Sequence, residues 1–194
     1  MSNIVDPLVR QIAARVRAER ERRRWTLAQL AEASGVSQAM ISRIEREESS
    51  PTAVVLGKLS AAFQLSVASL LASPEGETAT DEERVRRQAD APEWRDPETG
   101  YRRRQITTPR FPTDIAEIRL PAGARVPYPA GAYAFIRGLV WVLDGQLTFH
   151  DGGQVHELHP GDTIELGEPV PRIFANDTDT ECRYVVVRAR HQQP

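Results

Sequence analysis

The feature that most constrains this 194-residue chain is a change of hydrophobic rhythm on either side of ASPEGETATDEE, residues 72–83. Before it, apolar residues recur at helical spacing, with short breaks and no strand-like alternation. From Tyr101 onward, short runs of Val, Ile, Leu and Phe are punctuated by PAG, LDG, DGG, PGD, GEPVP and NDTD. Turn signals at such regular spacing predict an antiparallel barrel or sandwich. The stretch between carries Pro74, Gly76 and several acids, too little apolar surface to fold alone, and reads as a linker. The expected class is therefore α plus β in two domains: a helical unit over 1–71, a linker over 72–90 and a strand-rich unit over 91–194.

Charge follows the same division. Residues 1–72 carry 10 Lys and Arg against 7 Asp and Glu, and residues 73–194 carry 15 against 20. A basic first part and an acidic second part suggest that only the first meets a polyanion. No run of about 18 apolar residues is present, so no membrane span is expected. The first twenty residues lack the apolar core of a secretory signal. The single cysteine, Cys182, has no partner for a disulfide or a thiolate metal cluster, and the cytoplasm is the natural compartment.

In the helical part, Asp6-Pro7 reads as a cap followed by a first-turn proline, and Val9, Ile12, Ala13 and Val16 mark one apolar face. Thr26 caps a short helix with Leu27, Leu30 and Ala31 inward. Ser34-Gly35-Val36 makes a tight turn in which glycine tolerates a left-handed conformation. Ser37 caps the next helix, burying Ile41 and Ile44, and Pro51-Thr52 opens another with Val55, Leu56, Leu59 and Phe63 inward. Val67 to Leu71 closes the bundle. Two short helices about a glycine corner describe a helix-turn-helix.

The segment from Leu27 to Leu71 resembles the five-helix DNA-binding domain of the phage-repressor-like XRE family. That resemblance implies that the second motif helix enters the major groove of double-stranded DNA. Ser37 would reach a phosphate, and Gln38, Ala39, Ser42 and Arg43 would face base edges. Gln38 suits adenine and Arg43 guanine through paired hydrogen bonds. Thr26 and Gln29 would grip the backbone. The family also implies a structural ion pair between Arg20 and Glu45, with Arg22 to Arg24 available for phosphates. Glu47 departs from the family's usual Gly or Asn at the end of the recognition helix. A non-glycine residue there costs strain, and Glu47-Glu48 sets acid near DNA.

The strand-rich half, with DG at 144–145, DGG at 151–153 and PGD at 160–162, is similar to cupins, double-stranded β-helix barrels of jelly-roll type. Metal-binding cupins carry three histidines and a glutamate, a set suited to transition metals. Here the glutamate slot is Gly138, the final histidine slot is Arg172, the asparagine slot is Asn176, and VPYPAGAYAF has no histidine. Arginine stays protonated and cannot ligate a metal. No metal, cofactor or catalytic residue is therefore expected. His150, His156, His159 and His191 read as surface residues.

An inward Arg172 needs compensation in an apolar barrel. It is either neutralised by an internal carboxylate or held for an anionic effector. In the second case Tyr128, Tyr133, Phe174 and Trp141 shape the pocket, and Gly138 enlarges it. The alternative places Arg172 at the barrel mouth, paired with Glu165 or Glu168. Trp94 and Tyr101, in the proline-rich approach to the barrel, read as buried anchors of a strap across a neighbouring subunit. Of Arg102 to Arg104, at least one should meet solvent or an acid.

Together the two halves resemble bacterial XRE-cupin regulators. The resemblance implies a non-enzymatic homodimer that reads a palindromic operator and senses a small effector in a metal-free barrel. A repressor or antitoxin with a purely dimerising barrel is one alternative. A cupin metalloenzyme of the phosphonate-epoxidase type is another, set aside for lack of the two-histidine, one-carboxylate set.

Overall fold

The computed structural model describes residues 7–71, 85, 87–91, 93–108, 111–134 and 137–189. Asp6, His191 and most of the expected 72–90 linker lie outside them, whereas Gln88–Asp90 within that stretch form a short helical turn. The chain is a five-helix bundle followed by two antiparallel sheets.

The helices are α1 (Pro7–Arg22), α2 (Leu27–Ser34), α3 (Gln38–Glu45), α4 (Ala53–Phe63) and α5 (Val67–Leu71). Local chemistry sets their ends. Thr26 and Gln29 form a reciprocal capping box on α2, and Gly35 ends that helix at φ 65°, where its N–H reaches the Ala31 carbonyl. Ser37 and Thr52 each accept a backbone N–H at the start of α3 and α4. The bundle core is Leu8, Ile12, Val16, Leu30, Ile41, Ile44, Leu56, Leu59 and Phe63. Leu8 is buried where Val9, expected on the inner face, is only half-buried.

Among the described residues ten strands follow: β1 (Glu93–Arg95), β2 (Arg102–Gln105), β3 (Thr113–Leu120), β4 (Arg125–Tyr128), β5 (Gly138–Asp144), β6 (Leu147–Asp151), β7 (Gln154–Leu158), β8 (Thr163–Leu166), β9 (Arg172–Ala175) and β10 (Cys182–Ala189). One sheet has the order β1-β2-β3-β10-β5-β8 and the other β4-β9-β6-β7. Alternation sends Ala116, Ile118, Val140, Val142, Phe149, Phe174 and Tyr184 into the core between them. Phe174 of one sheet stacks on Tyr184 of the other at 5.7 Å between ring centres. Asn176 pins the far end, donating to the Leu120 and Thr180 carbonyls and accepting from Thr178.

Trp94 and Tyr101 are buried as expected, but against the chain's own core. They meet edge to face at 6.0 Å, and β1 pairs with β2, which pairs with β3. The strap expected to reach another subunit is an extension of this chain's sheet.

The bundle does not hang from its linker. Helix α4 lies on β4 and on the short turn Ala130–Tyr133. A Cβ added at Gly57 would stand 2.6 Å from the Tyr128 ring, and one at Gly131 would stand 3.0 Å from Ala61 Cβ. Glycine is what allows this approach. From the barrel side, buried Asp96 accepts the Ala53 N–H at 3.1 Å, so a residue near β1 satisfies the first turn of α4. The buried apolar residues of both parts form one continuous cluster.

Candidate nucleic-acid interface and barrel cavity

Helix α3 is held rigidly from behind. Ile41, Ile44 and Glu45 are buried, whereas Gln38, Ala39 and Arg43 are exposed and Ser42 is half-buried. The residues expected to face bases thus share the outward side of one short helix. Thr26, Gln29 and Ser37 are also exposed, but their oxygens already cap helices: Thr26 Oγ1 accepts from Gln29 N, Gln29 Oε1 from Thr26 N, and Ser37 Oγ from Met40 N. What they can still offer a phosphate is the Gln29 amide and the two hydroxyl hydrogens.

The expected Arg20–Glu45 pair is present and two-pronged, with Nε to Oε1 at 2.7 Å and Nη2 to Oε2 at 2.8 Å. Arg20 Nη1 donates to the Trp25 carbonyl, so the guanidinium joins α1, α3 and the α1–α2 connection. The Glu45 hydrogen bond holds its pKa above arginine's ordinary value, against the opposing effect of burial. Among Arg22 to Arg24, Arg23 is not available to DNA: it binds Glu19, donates to the Phe63 carbonyl and lies over the Phe63 ring. Arg22, paired with Glu19, and Arg24 remain exposed.

In the barrel, Arg172 does not sit at the mouth, and neither Glu165 nor Glu168 supplies its carboxylate. It is 1% exposed. Its Nε donates to Asp151 at 2.6 Å, directly across the β6–β9 ladder, and its Nη2 donates to the Glu168 carbonyl at 2.8 Å. Its Cζ lies 4.7 Å from the centre of the Tyr133 ring. The internal carboxylate foreseen as one alternative is Asp151, whose spacing to Arg172 is invisible until the strand register is known.

A small cavity, partly open to solvent, lies in front of these groups. Tyr128, Tyr133 and Phe174 line it as expected, with Tyr101, Tyr184, Val186 and Val67 of α5. Arg172 lies behind Tyr133 and does not line it. Trp141 is 45% exposed, on the outer face of β5, because the inward positions of that strand are Val140 and Val142. Gly138 does not enlarge the interior either. A Cβ there would meet the Val187 carbonyl at 2.3 Å, so the glycine serves close approach to β10.

The cationic walls of the cavity are Arg103 and Arg188, which the sequence reading did not single out. Within Arg102-Arg103-Arg104, the outer two meet Glu181 and Glu117, and the middle one turns inward. The signal was there, since three arginines on one strand cannot all face out. Arg188 Nη2 donates to Asp114 at 3.0 Å. Burial and the nearby Arg103 charge push Arg188 below arginine's ordinary range, against the pull of Asp114. Burial raises the Tyr128, Tyr133 and Tyr184 hydroxyls well above 10, so all three are neutral hydrogen-bonding groups at ordinary pH. Among the described residues no three of His, Cys, Asp and Glu gather in a group that could hold a metal.

A helix-turn-helix domain docked on a double-stranded β-helix barrel is the composition of XRE-type regulators. The family comparisons agree. A helix-turn-helix model matches residues 16–70 and a cupin-domain model matches residues 118–188. The chain is 28% identical over 181 residues to the HTH-type transcriptional regulator SutR of Escherichia coli (strain K12), spanning 89% of this chain and 90% of that protein. A crystal structure of an HTH_3 family transcriptional regulator from Vibrio cholerae superposes with a TM-score of 0.74 at 23% identity, over 95% of this chain and 98% of that one. Hydroxypropylphosphonic acid epoxidase from S. wedmorenis gives a TM-score of 0.43 at 18% identity, over 93% and 98% of the chains. The chain thus carries a helix-turn-helix domain and a C-terminal cupin domain, and in that combination it is similar to XRE-type regulators. No helix among the described residues is long and apolar enough to cross a membrane.

Proposed function

We propose that the chain is a cytoplasmic, sequence-specific regulator in which residues 1–71 read an operator and residues 91–194 sense a small effector and dimerise, joined by 72–90. The observation that carries the DNA-reading half is α3: its core side is anchored by Ile41, Ile44 and the Arg20–Glu45 pair, and its free side presents Gln38, Ala39, Ser42 and Arg43. A helix so fixed can hold base-reading side chains in register. Thr26, Gln29 and Ser37 support it with phosphate contacts.

The barrel is read as non-enzymatic, because Gly138 and Arg172 occupy slots where a metal-binding cupin needs ligands. The outer face of the larger sheet supports dimerisation: Leu139 and Trp141 of β5 pair with Val187 and Val185 of β10, an apolar stripe only half covered. Two copies joined there would present two reading heads to half-sites on a palindromic operator.

The test is selection of bound duplexes from a random pool, followed by titration of the Arg43→Ala and Gln38→Ala variants. Each should lose roughly tenfold or more on the selected site, with relaxed preference at one base pair and little change on unrelated DNA. Uniform weakening on all sequences would assign these residues to the phosphates instead and overturn the assignment to base edges.

A further inference from the structure

The cavity in front of Tyr133 has a charge imbalance the fold itself does not use. Arg103 and Arg188 are 6% and 7% exposed. Arg103 keeps Nε and Nη2 without an acceptor, and Arg188 keeps Nε without one. The carboxylate beside them is Asp114, bound to Arg188 and also receiving the Gln105 amide. Among the described residues, two guanidiniums against one carboxylate leave one buried positive charge. Arg172, the third inward arginine, pairs with Asp151; its Nη1 also lacks an acceptor, but the residue does not line the cavity and does not enter this count. Burying unsatisfied charged donors is costly, and a folded chain keeps such groups where something else completes them.

We propose that this cavity is the effector site and that it takes a small organic monoanion, a carboxylate with a short apolar body. The carboxylate lies against Arg103 and Arg188, and the body packs among Tyr128, Tyr133 and Phe174. This rests on the reading of the barrel as a sensor and gives that sensor its ligand class. The free guanidinium edges suit a carboxylate in paired geometry. A single negative charge balances the site, whereas a dianion would overfill it. The cavity is small, so the shortest bodies should fit best.

The same geometry gives the signal a route. Val67 of α5 is a wall of the cavity. Tyr128, another wall, has Gly57 of α4 against the other side of its ring. A ligand that repositions Tyr128 therefore presses on the helix that packs against the rest of the DNA-reading bundle. Coupling passes through the packed face between the two domains, in addition to any contribution from the linker.

The experiment uses the full chain and a series of probes: propanoate, butanoate, hexanoate and benzoate, each compared with the alcohol of the same skeleton and with succinate. Thermal unfolding is followed for the wild type, Arg103→Met and Arg103→Gln. At least one monocarboxylate should raise the wild-type midpoint, with the alcohols and succinate far weaker. Both variants should lose about tenfold or more in affinity for it. Without probe, Arg103→Met should melt at or above the wild-type temperature, because it removes an uncompensated buried charge. A merely structural arginine would give the opposite shift. Response to no carboxylate, equal response to the alcohols, or unchanged affinity in both Arg103 variants would overturn the proposal. If a carboxylate binds through Arg103 but leaves affinity for the selected operator unchanged, the anion site stands and the sensor reading falls. If only a neutral probe binds and changes operator affinity, the sensor stands and the anion site falls.

Discussion

Two sets of arginines in this molecule are built on opposite terms. In the helical bundle, Arg20 is matched prong for prong by Glu45, and Glu19 gathers Arg15, Arg22 and Arg23 around one carboxylate. At the junction with the barrel, Arg103 and Arg188 face a cavity with donors to spare. The bundle uses its charges to fix three helices relative to one another. The junction holds charge in an unfinished state, which stabilises nothing until a partner arrives. The carboxylate-centred pairs therefore mark the frame, and the two arginines whose spare donors lie at the cavity mark the place where the frame meets a ligand.

The largest effect that would sharpen this contrast comes from the closed pair. Glu45→Gln keeps the shape and removes the charge, leaving Arg20 largely buried between α1 and α3. The expected cost is about 3 kcal/mol, the low end for breaking a buried pair, since Arg20 keeps some access to water. Denaturant unfolding measures it directly. A loss well under 1 kcal/mol would erase the distinction between the two arginine sets.

Gly57→Ala asks whether the two regions share a wall. The new methyl would collide with the buried Tyr128 ring, which can give way only by moving into the cavity that it lines. Overpacking of this kind costs about 2 kcal/mol. Thermal melting should show the loss in a single transition, because the two halves share one continuous core. An unaffected midpoint would mean that the bundle and the barrel stability are independent.

The sequence made the bundle legible because its determinants are local. Thr26, Gly35 and Ser37 act within four residues of themselves, and the apolar face of each helix repeats along the chain. The turns of the barrel were legible for the same reason. The site was not, because it depends on which strands become neighbours. Asp151 and Arg172 are 21 residues apart and meet only through the β6–β9 register. Arg188 and Asp114, 74 apart, meet only because β10 lies beside β3. Family slots drew attention to Arg172 and Gly138, and the pocket expected around Arg172 added Trp141. The register then set the first against Asp151, the second under β10 and the third outside.

The smallest effect concerns the edge of the bundle proposed to face DNA, where the closed, satisfied style of its interior gives way. Helix α3 ends in a paired turn, with Glu48 N donating to Arg43 O and Glu47 N to Ile44 O, and the residue at the turn is Glu47 at φ 64°. Glycine adopts that conformation freely, whereas a side chain there strains the backbone. Glu47→Gly should stabilise the chain by about 1 kcal/mol, the strain relieved outweighing the added freedom of the unfolded chain. The same change removes a negative charge beside the recognition helix, so affinity for any duplex should rise and its salt dependence should steepen. If stability rises and DNA affinity does not, Glu47 lies away from the phosphates and its strain serves the turn alone. If both rise, the bundle resembles the junction after all: each gives up stability at the surface that meets its ligand, and keeps its charges matched elsewhere.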